Sequence, residues 1–426
     1  MKRRVSLPLL VFLLAVAGRI AALILLNSYR DPKNFDALVI ADNLLAGKGF
    51  SFPYLWEGEP IPSSFKGPLY VYFIAAFWSF GKSPAVHFLI QAIQAVLGGL
   101  TCLALLRIGG QYGDKRVGIV AALFYAFYPP AVFMPSRMHE INFTIPLLAW
   151  LLLEFLKLHD DFSRSGAIRT GVAMGLCLLA EPIYGLFCLM VFLYLGFLEA
   201  GIIKKRLAAL LIAGSFCLIV LAPWSIRNVM VHEKIVLVKT SLGLNLWTGN
   251  NPEANGTSRV PVAGRGGEKI MHMHEMMEPE LRHRVLSADT EVERDQILLR
   301  EGADYIRKNP GKAFRLSLRK IKYLWWRHPT HPLAKKGIYH ISQLIVFLTG
   351  LAGLILALRT NRFFSLMMIF FVVSHTLAYM VFFAIPRYRL IADPPLLLGS
   401  AVLFCTLWEG LLRAKGRTPA GDGCSS

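Results

Sequence analysis

Apolar stretches of about 20 residues recur along this chain, and they limit its fold more than any other feature. An α-helix needs roughly that length to cross a bilayer, so each stretch predicts a transmembrane helix. Hydrophobic residues form 55% of the chain and charged residues 17%, which is atypical of soluble domains. We predict an all-α polytopic membrane protein of about ten helices. The predicted spans lie near residues 8–27, 84–106, 117–134, 141–158, 167–180, 183–199, 207–222, 338–358, 363–383 and 388–412.

The net charge of +19 would suggest nucleic-acid binding in a soluble protein, but its distribution indicates a membrane topology. If the amino terminus is cytoplasmic, every short cytoplasmic loop carries Lys or Arg, in agreement with the positive-inside rule. Both termini are therefore predicted to be cytoplasmic, and no nucleic-acid partner is expected. The basic residues concerned are Lys2, Arg3, Arg4, Arg107, Lys115, Arg116, Arg164, Arg169, Lys204, Lys205, Arg206, Arg359, Arg362, Arg413, Lys415 and Arg417.

Two polar segments, residues 28–83 and 223–337, interrupt the hydrophobic pattern and are predicted to be exported. The first contains an apolar run too short to span, typical of an interfacial or re-entrant helix. The second reads as a loop followed by two helices that break at Asn309 and Pro310. We therefore divide the chain into a transmembrane module with its exported loop (1–222), an exported loop domain (223–337) and C-terminal helices with a cytoplasmic tail (338–426).

Asp36 is the first candidate for a catalytic acid or base, because it lies shortly after the first span at the start of an apparent surface helix. Asp42 lies about 120° around that helix, so the two carboxylates are not expected to face one site. The alternative for Asp36 is a helix N-cap. Its position alone does not separate the two.

Glu140 is the second acidic candidate, in the short exported loop before the fourth span. The alternative is a solvated interfacial acid paired with Arg137. The adjacent His139 could bind a metal ion or stabilise charge.

Four basic side chains are candidates for binding an anion at the exported face, and the alternative for each is interfacial anchoring beside Trp and Tyr. They are Lys66, Arg227, Arg387 and Arg389, with Tyr388 between the last two. Arg19 differs because it falls inside the first span, where a charge needs a partner, and Glu181 is one candidate for that partner. A metal site at His272, His274, Glu275 and Glu278 matches no complete ligand pattern, and a solvated loop is favoured there.

Several stretches, taken in order, resemble the bacterial members of the protein-mannosyltransferase-like (family 39) membrane glycosyltransferases, which include the lipid A aminoarabinose transferases. The matching positions are Arg19, Asp36, residues 41–50, residues 67–70, Gly81, Glu140, residues 223–228, residues 244–252, Gly256, Asn309, Pro310, Lys320 and residues 387–389. The chain departs from many relatives at Ala37, where they carry Glu, and at Val39 and Ile40, near which they carry Tyr.

The resemblance implies a C-type glycosyltransferase fold in the bacterial cytoplasmic (inner) membrane, with an active site on the exported face. It also implies inverting transfer of a sugar from a polyprenyl-phosphate donor to a cell-envelope lipid, glycan or protein. Asp36 would then be the acid/base, and Glu140 would orient the acceptor or stabilise the cationic sugar. Lys66, Arg227, Arg387 and Arg389 would bind the phosphate, with His139 and Tyr388 beside them. No cofactor is predicted firmly, and a divalent metal ion remains a candidate.

Two alternatives stay open. The first is an oligosaccharide transferase or O-antigen ligase that uses a diphosphate carrier. The second is a lipid or solute transporter, for which internal repeats or paired broken helices would be typical. The sequence contains no evident repeat, and its polar residues cluster at one predicted membrane face.

Overall fold

The computed structural model describes residues 6–33, 35–198, 202–264, 267–328 and 337–415. The predicted cytoplasmic termini, including Lys2, Arg3, Arg4 and Arg417, lie outside these residues. Helices α1 to α9 are Leu7–Leu26, Asp36–Leu45, Pro68–Trp78, Pro84–Tyr112, Lys115–Phe127, Pro129–Phe133, Ile141–Asp161, Arg164–Ala180 and Gly185–Leu193. Helices α10 to α18 are Ile203–His232, Leu242–Gly249, Pro279–Leu286, Glu291–Lys308, Pro310–Trp325, Gly337–Ala357, Arg362–Val381, Pro386–Arg389 and Asp393–Ala414.

Helices dominate the described part of the chain, and its strands form two short antiparallel hairpins. Strand β1 (Ser51–Phe52) pairs with β2 (Ile61–Pro62), and β3 (Arg259–Gly264) pairs with β4 (Gly267–His272). The predicted all-α polytopic membrane fold is confirmed.

Among the described residues, 7 helices are long and apolar enough to cross a membrane, namely α1, α4, α7, α10, α15, α16 and α18. A further candidate span is the pair formed by α5 and Pro129–Ser136, which is bent by 54°. The segments predicted at 167–180 and 183–199 are also helical, but they are shorter than these spans. Each predicted span therefore coincides with a helix, although two of the ten fall below full spanning length.

Small residues let the membrane helices approach closely, as is usual where lipid provides no hydrophobic driving force between helices. At the α15–α18 contact, a methyl group added to Gly353 would lie 1.8 Å from the carbonyl oxygen of Gly399. Any larger residue at Gly353 would therefore separate the two helices.

The two polar segments pack against each other at one end of the bundle. The Tyr54 hydroxyl donates to Oδ1 of Asp295 at 3.3 Å, and Arg282 forms an ion pair with Glu57. The second segment contains the two predicted helices, α13 and α14, with the break between Lys308 and Pro310. The short apolar run of the first segment forms α3. Gly67, at the N-terminus of α3, lies against the end of α8.

Candidate active site

Asp36 is the first residue of α2, and the N-cap position belongs to Phe35, which makes no side-chain cap. The Asp36 carboxylate forms an ion pair with Lys66 instead, with Oδ2 and Nζ 3.0 Å apart. The N-cap interpretation of Asp36 is therefore wrong. Asp42, on another face of α2, pairs with Lys82 and does not share the site, as predicted.

Lys66 joins the two acidic candidates. Its Nζ lies 3.0 Å from Oδ2 of Asp36 and donates to Oε1 of Glu140 at 2.9 Å. Burial disfavours the charge on Lys66, but the two carboxylates outweigh this effect and raise the pKa of Lys66. The structure thus combines Asp36, Lys66 and Glu140, which are distant in sequence, into one acid–ammonium–acid cluster.

Glu140 immediately precedes α7 and is largely buried. Burial disfavours its charge, but His139 in its protonated form, Lys66 and Lys239 outweigh that effect and hold the pKa of Glu140 well below its usual range. Burial also lowers the pKa of His139 to about 4, so this imidazole is neutral near pH 7. Its Nδ1 accepts a hydrogen bond from the Ile141 amide at 3.2 Å. His139 therefore supports the start of α7 rather than carrying a charge, and Glu140 does not pair with Arg137 as a solvated acid.

A small, partly open cavity lies beside the cluster. Its residues include both Lys66 and Glu140, together with an apolar wall from α3, α7 and α8. The lining side chains and backbone belong to Ala37, Lys66, Gly67, Leu69, Tyr70, Glu140, Phe143, Ala180 and Lys239. The cavity thus combines charged groups at one end with aromatic and aliphatic surface.

Gly67 explains how Lys66 comes so close to the end of α8. A methyl group added to Gly67 would lie 2.0 Å from the carbonyl oxygen of Leu179 and 3.2 Å from that of Ala180. Only glycine permits this approach of the two backbones. The position of Lys66 is therefore set by the backbone and not by its own flexible side chain.

Arg387 and Tyr388, in the short helix α17, lie beside the cluster. The Arg387 guanidinium lies 6.0 Å from the ring centroid of Phe35, the neighbour of Asp36. Its buried Nε has no hydrogen-bond partner within the described part of the chain. The Tyr388 ring stacks on Tyr379 with centroids 4.3 Å apart. Arg387 is therefore placed to interact with an anion that enters the site.

Arg227 is bound to groups of the protein itself. It donates to the carbonyl oxygens of Ser63 at 2.7 Å and Phe50 at 3.1 Å, and it lies over the Trp224 ring at 4.9 Å. It thereby fixes the first polar segment against the end of α10, and the predicted role as a phosphate ligand gains no support from these contacts.

Arg389 is also occupied and is only 1% exposed. Its guanidinium donates to the carbonyl oxygens of Trp325, at 2.8 Å, and Gln343. These bonds connect α17 to α14 and α15, so the structure places Arg389 behind the site and not on its surface.

Arg19 and Glu181 do not pair with each other. Arg19 is buried and donates to the carbonyl oxygens of Ala15, Tyr125 and Ala126 at 3.0, 3.2 and 3.3 Å. Ala15 belongs to α1 itself, whereas the Tyr125 and Ala126 carbonyls lie at the end of α5, where the bend toward α6 interrupts the helix. The expected partner was wrong because broken helices expose backbone acceptors that the sequence pattern does not reveal.

The histidine cluster of the second segment makes aromatic contacts. His274 stacks on Trp56 with centroids 4.6 Å apart and on His272 at 5.4 Å. Within the described residues, no group of three or more His, Cys, Asp or Glu side chains is arranged to hold a metal ion.

A buried polar network fixes the loop that carries Lys66. Oε1 of Glu291 accepts hydrogen bonds from the Ser64 amide, at 2.8 Å, and from the Thr240 hydroxyl. The Ser64 hydroxyl donates to Oδ1 of Asn228 at 2.7 Å. Sequence reasoning missed Glu291, because a glutamate in the first turn of a helix is ordinary.

We expect this network to make stability depend on pH. Burial is the main cause that raises the pKa of Glu291 from 4.5 to about 8, so the folded protein holds this proton between those values and the unfolded chain does not. Stability should therefore fall as the pH rises through that window, by on the order of 5 kcal/mol. Glu291→Gln keeps an acceptor for Ser64 and removes the titration, so its loss of melting temperature from pH 5 to pH 8.5 should be smaller than that of the wild type. Glu301→Gln, in an exposed pair with Arg284, is the control, and equal pH dependence in all three proteins would contradict the expectation.

Comparison with known proteins agrees with this fold. The chain is similar to the oligosaccharyltransferase AglB from Archaeoglobus fulgidus, solved with an inhibitory peptide and a dolichol-phosphate, at 13% identity and a TM-score of 0.57. That match covers 98% of this chain and 52% of AglB, so the chain spans about half the length of its relative. The same oligosaccharyltransferase, tethered with an acceptor peptide, gives a TM-score of 0.56 at 13% identity over 97% and 52% of the two chains. ArnT from Cupriavidus metallidurans, bound to undecaprenyl phosphate, gives a TM-score of 0.39 at 12% identity over 95% and 79% of the two chains.

The described helices have the polytopic membrane fold that C-type glycosyltransferases share. Residues 65–226 match the family model described as dolichyl-phosphate-mannose-protein mannosyltransferase. That segment includes Lys66, Glu140 and part of the cavity wall. No curated protein matches the chain significantly. The predicted C-type fold, with its polytopic membrane architecture, is confirmed.

Proposed function

We propose that this protein transfers a sugar from a polyprenyl-phosphate donor to an acceptor hydroxyl, with inversion at the anomeric carbon. The observation that carries the proposal is the Asp36–Lys66–Glu140 cluster beside a partly apolar cavity. Two acids, cationic side chains and apolar surface are the three features that a lipid-linked sugar phosphate requires. The match of residues 65–226 to a mannosyltransferase family supports the same substrate class.

Asp36 is the proposed general base. Its carboxylate accepts the proton of the acceptor hydroxyl as that oxygen attacks the anomeric carbon from the face opposite the phosphate. The bond between the anomeric carbon and the phosphate oxygen breaks, and the polyprenyl phosphate leaves with that electron pair. Glu140 faces the same space and orients the acceptor or stabilises the cationic character of the sugar.

Arg387 and Lys66 supply positive charge for the phosphate in this mechanism. Two of the three ammonium donors of Lys66 face Asp36 and Glu140, which leaves one for a substrate oxygen. The Nε of Arg387 is buried without a partner in the described structure. Arg227 and Arg389 are bound to backbone carbonyls, so their contribution is to hold the elements that carry these groups.

A divalent metal ion does not fit the cluster as it stands. A structure of the Archaeoglobus fulgidus oligosaccharyltransferase was determined in complex with Zn and sulfate. In this chain the ammonium of Lys66 lies between the two carboxylates, where a cation shared by them would sit. A metal ion would have to displace Lys66, so the mechanism is written without one.

The cellular placement is part of the proposal. The site lies at the end of the helix bundle where the two polar segments, 28–83 and 223–328, pack together. The distribution of Lys and Arg in the sequence predicts that this end faces the exported side of a bacterial cytoplasmic membrane. Both termini are then cytoplasmic, and the acceptor is a lipid, glycan or protein of the cell envelope.

Purified protein in proteoliposomes should convert an undecaprenyl-phosphate sugar and an envelope extract into a glycosylated acceptor and free undecaprenyl phosphate. Thin-layer separation of the labelled lipid measures the release of the free carrier. An intact lipid-linked sugar that only changes leaflet would favour the transporter alternative. Turnover of a diphosphate-linked donor alone would favour the oligosaccharide transferase or ligase.

A further inference from the structure

Lys239 brings a second ammonium group to the candidate active site. It lies in the connection between α10 and α11 and lines the same cavity as Lys66 and Glu140. Its side chain is 9% exposed, and its Nζ donates to Oε2 of Glu181 at 2.7 Å. Glu181 follows the last residue of α8 and is 25% exposed.

The backbone fixes Lys239 relative to Lys66. The Thr240 amide donates to the carbonyl oxygen of Ser64 at 3.1 Å, so the two lysines occupy adjacent, hydrogen-bonded segments. The contact of Gly67 with the Leu179 carbonyl holds the same loop against the end of α8. Both ammonium groups are therefore presented to the cavity by rigid backbone contacts.

The two lysines differ in how easily they can release their carboxylate partners. Lys66 cannot leave Asp36 and Glu140 without exposing two like charges to each other. Lys239 has one carboxylate partner, and that partner is partly exposed, so water can solvate Glu181 when Lys239 moves away. Lys239 is therefore the better group to accept a new anion.

We propose that Lys239 binds the phosphate of the lipid-linked donor by exchanging its contact with Glu181 for a contact with a phosphate oxygen. The inference rests on the proposed function and adds a specificity-determining residue to it. Before donor binding, Glu181 holds the ammonium at the cavity wall. On binding, the phosphate replaces Glu181 as the partner of Lys239, and Lys66 continues to hold the two acids.

The test compares the two partners of the ion pair. Lys239→Gln should raise the KM for an undecaprenyl-phosphate sugar by about tenfold or more, because a charge-assisted hydrogen bond to the phosphate is lost, while kcat changes little. Glu181→Gln should leave KM unchanged or lower it, because the ammonium loses its competitor. Lys239→Arg should restore much of the affinity. Lys234→Gln is the matched control, since Lys234 lies in the same connection and pairs with Glu293 at 3.2 Å on the surface.

Equal increases of KM in Lys239→Gln and Glu181→Gln would overturn the proposal, because they would show that only the ion pair matters. An unchanged KM in Lys239→Gln would overturn it as well. If Lys239→Gln fails to fold, the decision rests on Glu181→Gln: a KM below that of the wild type supports the proposal, and a raised KM contradicts it.

A binding measurement without turnover separates this inference from the proposed function. Wild-type protein in nanodiscs should bind undecaprenyl phosphate more tightly than undecaprenol, and Lys239→Gln should reduce that difference. Inorganic phosphate should compete poorly, because the apolar wall contributes to binding only for the lipid. Failure of the wild type to prefer undecaprenyl phosphate would count against the proposed function, whereas an unaltered preference in Lys239→Gln would remove the role of Lys239 alone.

Discussion

Asp36→Asn is expected to lower the rate of sugar transfer by ~10²-fold or more while expression and melting temperature stay close to those of the wild type. Asn has nearly the same shape as Asp but cannot accept the acceptor's proton. The N-cap alternative would have predicted a mild effect, since Asn caps helices about as well as Asp. The structure already places Phe35 at the cap position and directs the Asp36 carboxylate to Lys66.

Asp42→Asn is the matched control for this experiment. Asp42 lies in the same helix and also pairs with a lysine, Lys82, but outside the site. The measurement is transfer of labelled sugar from an undecaprenyl-phosphate donor in proteoliposomes, with thermal unfolding followed in parallel. Near-normal turnover by a folded Asp36→Asn protein would transfer the role of base to Glu140.

The sequence was sufficient to predict the class of fold because the bilayer sets one dominant length scale. Each of the predicted apolar stretches coincides with a helix. The break at Asn309 and Pro310 was also predictable, because proline cannot continue a helix that begins before it. Where the prediction was less accurate, at 183–199, a short α-helix is flanked by 3₁₀ and π turns that apolar composition does not reveal.

The site was only partly predictable from the sequence. Asp36, Lys66 and Glu140 were each identified as candidates from their residue types and their places after or before apolar spans. Their assembly around one ammonium group depends on the packing of α2, α3 and α7 and on the close contact of Gly67 with α8. Sequence separation gives no indication of such a contact.

Residue type alone could not separate ligand-binding arginines from structural ones. Arg227 and Arg389 stand at predicted span ends just as Arg387 does, yet they are bound to backbone carbonyls. Whether an arginine is structural or free to bind a ligand depends on which groups its guanidinium contacts, and those contacts are a property of the tertiary structure. Lys239 was missed for the converse reason, because it lies in a connecting segment with no motif.

Lys66→Met is expected to reduce transfer by at least ~10²-fold at neutral pH and to shift the rising limb of the pH–rate profile to higher pH. In the wild type, Oδ2 of Asp36 and Oε1 of Glu140 lie 3.0 and 2.9 Å from the ammonium nitrogen. The two oxygens are thus no more than about 6 Å apart, a separation at which like charges interact strongly. Without the ammonium, the pKa of Glu140 loses one of the charges that hold it low, so Glu140 should take up its proton at a higher pH than in the wild type.

The pH profile separates this role of Lys66 from simple loss of a phosphate ligand. If Lys66 acts by holding Glu140 ionised, activity of Lys66→Met should recover in part as the pH rises from about 6 to 9. Lys66→Arg, which keeps the charge, should retain the position of the wild-type limb even if its rate is lower. Lys82→Met removes the comparable ammonium from Asp42 at an exposed site and should leave the profile unaltered. A reduced rate with an unshifted limb in Lys66→Met would show that Lys66 acts on the donor alone. Loss of a phosphate ligand lowers the rate, whereas loss of the charge beside Glu140 also changes how the rate depends on pH.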